Sequence, residues 1–447
     1  MAKRRSLILF SVLLALALFA QGCQPERMDI IPRTPEGQER TDTTQAGGEG
    51  QVPSEPQLPA GPVIPDTLQS LPCVYIETPG HVGVTSKTEW VRLATIKITG
   101  DGGEVLFEQD SLKIRGRGNS TWTWYKKKPY YIKLDHQADF YGTGKSKKWV
   151  LLANWMDRTL LRHHVAFEAA RRTSMEWNPS GGFVELYLDG VHLGNYWLGE
   201  KINVEGSKFQ ADYLYSLDTS DSEEMDFVSY GTYRANARTW GAPVELKYPD
   251  RDDYALTGGF DAVLSEAEAT LEAMTGAIAD GTFGSVIDVD SFCDWYLVHE
   301  LCYNLEPNHP KSCFFHWRDG KMYAGPVWDF DWYTFVPGET SLGIRNALWY
   351  GTLLDNPGFK ARLKQRWTTL KPSFETLGEW IDGEADKIRE SEAVNHTMWP
   401  CYPNPLSEDG SRMVNHDEQL SFREAVDRMK EAIEDRIEVL DKSIPAL

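Results

Sequence analysis

Paired cysteines are missing from this chain. Its 447 residues include six cysteines, none in a C-x-x-C pair, and setting Cys23 aside leaves Cys73, Cys293, Cys302, Cys313 and Cys401. An odd number without close spacing excludes a disulfide framework and a zinc knuckle. Positive charge is scarce as well: 46 lysines and arginines stand against 66 aspartates and glutamates, a formal net charge of −20 at pH 7. That balance excludes nonspecific nucleic-acid binding as a function. No G-x-S-x-G, H-E-x-x-H or Walker sequence occurs, so the chemistries those motifs serve have no basis here. His164-x-x-x-Glu168 would place two ligands on one helical face, but no third joins them and a helix-surface pair is the simpler reading. There is no internal repeat.

Aromatic residues are absent from positions 24–66, which are rich in Pro, Gly, Thr, Gln and Glu. Such a stretch buries too little apolar surface to offset chain entropy, and a flexible linker is expected over 23–66. Ahead of it, Lys3, Arg4 and Arg5 precede an apolar run from Leu7 to Ala20 that ends at Gln21-Gly22-Cys23. The run is short for a membrane span and has the charge order of a secretion signal. Small residues before a cysteine look like a lipoprotein cleavage box. Residues 1–22 are therefore expected to be removed and Cys23 to carry a lipid, placing the protein outside the cytoplasm on a bacterial membrane. Gln24 is compatible with an outer membrane. From 67 to 447 the length suits one large domain or two closely packed ones.

The front of that region, about 67–250, reads mostly as strands. Cys73 to Thr78, Leu93 to Thr99, Leu112 to Arg115 and Tyr130 to Leu134 are β-branched or aromatic runs bounded by turn residues. "ELYLDGVHLGNYWL" carries Asp189-Gly190 between two apolar runs, a hairpin signal. One helix is expected among them, capped by Asp157, with Leu161, Val165 and Ala169 on its buried stripe. Beyond 251, helices are expected over Asp253–Ala279, Val289–Tyr303, Pro357–Glu390 and Glu418–Ser443. A hairpin, "CFFHWRDGKMYAG", interrupts them with Asp319-Gly320 at its tip. The expected class is α+β.

"GPVWDFDW", residues 325–332, follows that hairpin. If Trp328 to Trp332 is extended, Asp329 and Asp331 share one side and Phe330 anchors the other. Two carboxylates on one face suit Mg²⁺ or Mn²⁺, which take oxygen ligands together with phosphate oxygens. Upstream, "HELCYNLEPNHPKSCFF" ends a helix near Asn304 and enters a loop with Glu306, 23 residues before Asp329. His299, His309 and Lys311 lie in the same stretch, where each alone is more often a surface or hydrogen-bonded residue than a catalyst. A carboxylate loop, a hairpin and an aspartate beside Phe is the order in which protein kinases present their catalytic loop and metal-binding aspartate. In "KIRGRGNSTWTW", residues 113–124, Gly116 and Gly118 allow close backbone approach while Arg115, Arg117, Asn119 and Ser120 supply donors for an anion. Internal bracing of the turn by Arg117 and Asn119 is an equal alternative.

With these pieces the chain resembles the CotH kinase family, secreted atypical kinases named for a spore-coat protein, and in particular its lipoprotein members. "KIRGRGNSTW", "KKKPYYIKL", "WVLLANWMDRTLLRHHVAFEAA", "VELYLDGVHLGNYWLGEKI", "VELKYPD", "HELCYN" and "GPVWDFDW" match in family order. The resemblance implies a two-lobed protein-kinase-like fold that binds ATP with Mg²⁺ or Mn²⁺ and phosphorylates protein hydroxyls. Asp329 would be the metal-binding aspartate, with Asp331 beside it and Ser312 as a further metal oxygen. Glu306 stands where family members usually carry the catalytic aspartate, and its extra methylene bears on whether transfer occurs. A lysine on the phosphates is also implied, either Lys133 or Lys128, with Glu200 as its carboxylate partner. Three readings follow: an extracytoplasmic kinase, a pseudokinase scaffold in which Glu306 marks lost transfer, and a surface-binding lipoprotein whose aromatics stack on ligands.

Overall fold

The computed structural model describes residues 71–204, 209–219, 226–233, 238–400, 415–417 and 419–447. The leader, Cys23, the linker and Cys401 lie outside them. Cys73, Cys293, Cys302 and Cys313 are buried free thiols.

Hydrophobic alternation sets the front half. In β3 (Val105–Gly116), β4 (Tyr130–Ala138) and β5 (Ser146–Leu152), the residues Leu112, Ile114, Ile132, Leu134, Trp149 and Leu151 point to one side and form a core with Val74, Ile76 and Leu186. The opposite face of the same wall sends Tyr131, Val150 and Leu152 into a second, larger core shared with the helices. Period-two side-chain placement thus feeds two cores from one wall. These strands join β1 (Cys73–Glu77), β2 (Val91–Thr99), β6 (Gly181–Leu188) and β7 (Val191–Glu200) in a closed barrel of order β1-β2-β3-β4-β5-β7-β6. All neighbours are antiparallel except β1 and β6, which close the barrel in parallel. Asp189 and Gly190 have φ of 51° and 76°, as a two-residue hairpin between β6 and β7 requires.

A second sheet of order β12-β11-β8-β10-β9 is built from β8 (Tyr213–Leu217), β9 (Phe227–Tyr233), β10 (Arg238–Tyr248), β11 (Cys313–Arg318) and β12 (Lys321–Ala324). The β11–β12 hairpin from the helical half therefore docks on β8 instead of standing alone between helices.

The helices are α1 (Ser120–Thr123), α2 (Arg162–Arg171), α3 (Phe260–Asp280), α4 (Val289–Cys302), α5 (Tyr350–Leu353), α6 (Pro357–Glu375), α7 (Leu377–Met398) and α8 (Phe422–Ala446). Asp157 organises the start of α2: its carboxylate accepts from Arg162 N at 2.8 Å and from Thr159 N at 2.9 Å. Leu161, Val165 and Ala169 are fully buried. Asp288 caps α4 by accepting from Ser291 N, and Ser421 and Glu424 form a capping box on α8. The single helix expected over Pro357–Glu390 is two helices, divided at Thr376. There Arg172 donates to Ser373 O at 2.6 Å and to Thr376 Oγ1 at 2.9 Å, engaging one carbonyl of the last turn from outside the helix. Glu300 of α4 and Arg436 of α8 form a buried pair at 2.9 Å; the Glu300 carboxylate also accepts from Gly343 N and Ile344 N.

The α+β class is as expected, with strands in front and helices behind. The closed barrel was not expected, because its closing contact pairs Cys73 with Glu185 and leaves no local sequence signal. No helix among the described residues is long and apolar enough to cross a membrane.

Candidate active site

Asp329 sits on a segment anchored from both sides. Val327 N donates to Asn178 Oδ1 at 3.0 Å, and Phe330 is fully buried, 5.0 Å from the His299 ring. The segment is not an extended strand, as the alternation suggested: Asp329 has φ of 67°. Tyr303 and Ser312, at φ of 51° and 49°, are also left-handed. Non-glycine residues held in this region cost about 1–3 kcal/mol each and concentrate at functional sites.

Asp329 and Asp331 nevertheless share one side. With His163, from the first turn of α2, each offers one ligand atom, and the three atoms lie within 4.8 Å of one another. His163 Nε2 is 3.9 Å from Asp329 Oδ1; the imidazole is buried, whereas the Asp329 side chain is 46% exposed and open to an incoming ligand. Partial desolvation by the surrounding protein would push Asp329 up, but His163, Arg117 and Ser312 hold it below the usual carboxylate range. Asp331 is raised by burial and by the charge of Asp329. Burial would lower His163, yet Asp329, Asp331 and Asp157 raise it.

Glu306 begins a one-turn 3₁₀ helix, Glu306–Asn308. It is buried, and its Oε2 has no hydrogen-bond partner. Burial first, and then the charge of Asp329, push it up to about 8. Asn304 connects the backbone of this residue to that of Asp329: its Oδ1 accepts from Glu306 N at 2.9 Å and its Nδ2 donates to Asp329 O at 3.0 Å. Ser312 donates from Oγ to Asp329 Oδ2 at 3.2 Å, and its N–H donates to Asp218 Oδ2 at 3.2 Å. Four carboxylates thus converge from the end of β8, the loop after α4 and the segment after β12.

Basic groups border the acidic ones. The Arg117 guanidinium lies 5.4 Å from the Trp328 ring centre; burial lowers it, while Asp329 and Asp331 oppose that shift. Lys201, just after β7, has its Nζ 5.3 Å from the Tyr131 ring centre. Burial and the like charges of Lys247, Lys148 and Arg117 bring it down to about 7.

The remaining sequence candidates lie as follows. Arg115 rests over Trp90 and Tyr131 and donates to Thr88 O at 3.4 Å, so it braces the strand. Asn119 Oδ1 accepts from Lys87, and Ser120 opens α1. In the opening turn, Asp329 and Asp331 act on Arg117, while Arg115 and Asn119 make the bracing contacts just described. Lys128 donates to Trp122 O and lies over that ring. Lys133 stands opposite Lys113 and Lys148 in the barrel wall. Glu200 accepts from Thr143 Oγ1 at 2.7 Å and Ser180 N at 3.1 Å, and shares its face with Trp149, toward the barrel interior. Sequence reasoning missed His163, Asn304, Asp218 and Lys201. Strand alternation turns Lys201 opposite to Glu200, but its neighbours become visible only with the β5–β7 pairing.

Two carboxylates, one of them half-exposed, with an imidazole and a hydroxyl beside them fit a divalent cation of the Mg²⁺ or Mn²⁺ kind. No curated protein matches the chain. The site segments all fall within residues 114–440, which match the family model of the CotH kinase protein, and the chain accordingly belongs to the CotH kinase family.

Proposed function

We propose that this protein is a two-lobed, metal-dependent protein kinase, held outside the cytoplasm by a lipid on Cys23, that moves the γ-phosphoryl group of ATP to a protein hydroxyl. The observation that carries this reading is that the single amide of Asn304 ties the backbone of Glu306 to that of Asp329, where the charges of Asp329 and Asp331 both act on Glu306. Family membership supports kinase chemistry, and the leader sequence supports the location.

Asp329 and Asp331 would hold Mg²⁺ or Mn²⁺, with Ser312 beside them. Such an ion supplies neutralisation of phosphate charge. The chain's own residues do the rest. Glu306, ionised, accepts the proton of the substrate hydroxyl as that oxygen bonds to the γ-phosphorus and the bond from phosphorus to the β,γ-bridging oxygen breaks, leaving ADP. Its longer side chain starts from a buried position, and Asn304 fixes its backbone relative to Asp329. Arg117 places a fixed positive charge beside the same carboxylates.

The test uses purified protein with Mn²⁺ or Mg²⁺ and ATP labelled on the γ- or the α-phosphate, beside Asp329→Ala. Incorporation of γ-label into the protein itself or casein, lost in Asp329→Ala, is the expected result. α-Label would mean adenylyl transfer. Nucleotide binding without either label would mean a pseudokinase scaffold, and no binding at all would leave a surface-binding lipoprotein.

A further inference from the structure

In a chain with a net charge of −20, one face of the barrel wall is crowded with cations. Lys113, Lys133 and Lys148 are direct cross-strand partners on β3, β4 and β5. They share the face opposite Leu112, Ile132 and Trp149, the face turned away from the barrel core. Lys201 N donates to Lys148 O at 3.2 Å, which extends the row to the end of β7. There the charges of Arg117, from the turn after β3, and Lys247, from β10, act on Lys201. Like charges placed directly opposite one another in a sheet destabilise it, so an anion bound on this face would relieve the repulsion.

The protein supplies one nearby carboxylate, Glu245, which pairs with Lys247 and whose charge also acts on Lys201. Among the described residues, neither Lys148 nor Lys201 has a carboxylate within ion-pair distance. Lys201 is half-buried, its ammonium set against the Tyr131 ring. Arg117 belongs to both clusters: it senses Asp329 and Asp331 and is sensed by Lys201. An anion held by the lysines therefore lies beside the carboxylates that suit a cation, which is the charge pattern of a metal-bound polyphosphate.

We propose that Arg117, Lys148, Lys201 and Lys247 bind the polyphosphate tail of the donor nucleotide, with Lys201 at the centre of the site. This rests on the phosphotransferase reading above and replaces Lys128 and Lys133 as the phosphate lysine. Lys128 lies over Trp122, and Lys133 is one strand, about 4.8 Å, further from Lys201 than Lys148 is.

The experiment measures binding without turnover, by titrating the purified full-length chain with a nonhydrolysable ATP analogue in Mg²⁺ and, separately, with inorganic tripolyphosphate. Lys201→Gln is expected to weaken both by at least ~10-fold, the scale of a charge-assisted contact, and Lys201→Arg to recover part of the loss. Lys128→Gln and Lys133→Gln are expected to stay within ~3-fold of the parent. Matching thermal melts establish that each variant is folded. Equal affinity of Lys201→Gln and the parent overturns the proposal while leaving the kinase reading intact. Failure of the parent to bind either ligand overturns both.

Discussion

Asn304 donates its side-chain N–H to the backbone carbonyl of Asp329 across 3.0 Å. With its oxygen on Glu306 N, it is the direct link between the proposed base and the proposed metal ligand, and it is fully buried. Asn304→Ala is expected to lower kcat by ~10- to 100-fold, because misplacement of a reacting group by about 1 Å has that effect. Nucleotide KM should change little. The orphaned carbonyl should cost ~1–3 kcal/mol in denaturant melts. Parent-like kcat together with that stability loss would reduce Asn304 to a purely structural role.

Glu306→Gln separates chemistry from binding. Removal of a general base is expected to slow transfer by ~10²- to 10⁴-fold, with nucleotide and metal affinity retained. Stability should respond in the opposite direction. The folded protein holds the Glu306 proton up to about pH 8, against an ordinary value of 4.5, so ionisation works against folding as pH rises through that window, by at most ~1.4 kcal/mol per unit. Urea melts at pH 5 and pH 9 should therefore show Glu306→Gln gaining on the parent only at the higher pH.

Two buried histidines govern the acid side. Burial brings His299 down to about 3 and His316 to about 4, so both are neutral in the folded protein near pH 5 while the unfolded chain takes up protons below about 6.5. Stability is then lost as pH falls from 6.5 toward 4. His299 is also packed 3.8 Å from the Trp295 ring and 5.0 Å from Phe330, beneath the Asp329 segment. His299→Phe should flatten the decline by up to ~1.4 kcal/mol per pH unit, read from melting temperature between pH 4 and 7. An unchanged slope would show that this imidazole does not contribute.

Gly116 is required by contact with a ring. A β-carbon there would lie 2.3 Å from Trp122, so Gly116→Ala must displace the indole and shift Arg117, the next residue. The expected cost is ~1–3 kcal/mol, with weaker nucleotide binding, measured by melts and titration.

The grouping of the candidate carboxylates was more legible than their scaffold. Asp329 and Asp331 stood out because carboxylates flanked by Trp and Phe are unusual in sequence, Glu306 through its order ahead of the hairpin and Asp329, and both Asp-Gly hairpins announced themselves through turn chemistry. Barrel closure did not, since β1 and β6 meet only after the chain has folded. The extended reading of Trp328–Trp332 failed because Asp329 turns left-handed, which local alternation cannot reveal. Lys201 was hidden in plain view: without knowing that β5 and β7 are neighbours, nothing associates it with Lys148, and Lys133 looked equally suitable.

The pairing of Glu300 with Arg436 ties the site to the order of synthesis. A ribosome finishes the helix leading into Asn304 and Glu306 well before it reaches α8. Until then, Glu300 holds a negative charge destined for the interior with no guanidinium to meet it. Without Arg436, burial favours the protonated form of Glu300, and the loop that follows its helix is expected to stay unsettled until α8 docks. Chains stopped short of residue 436 are expected to be cut readily by protease between 304 and 312, where the complete protein resists.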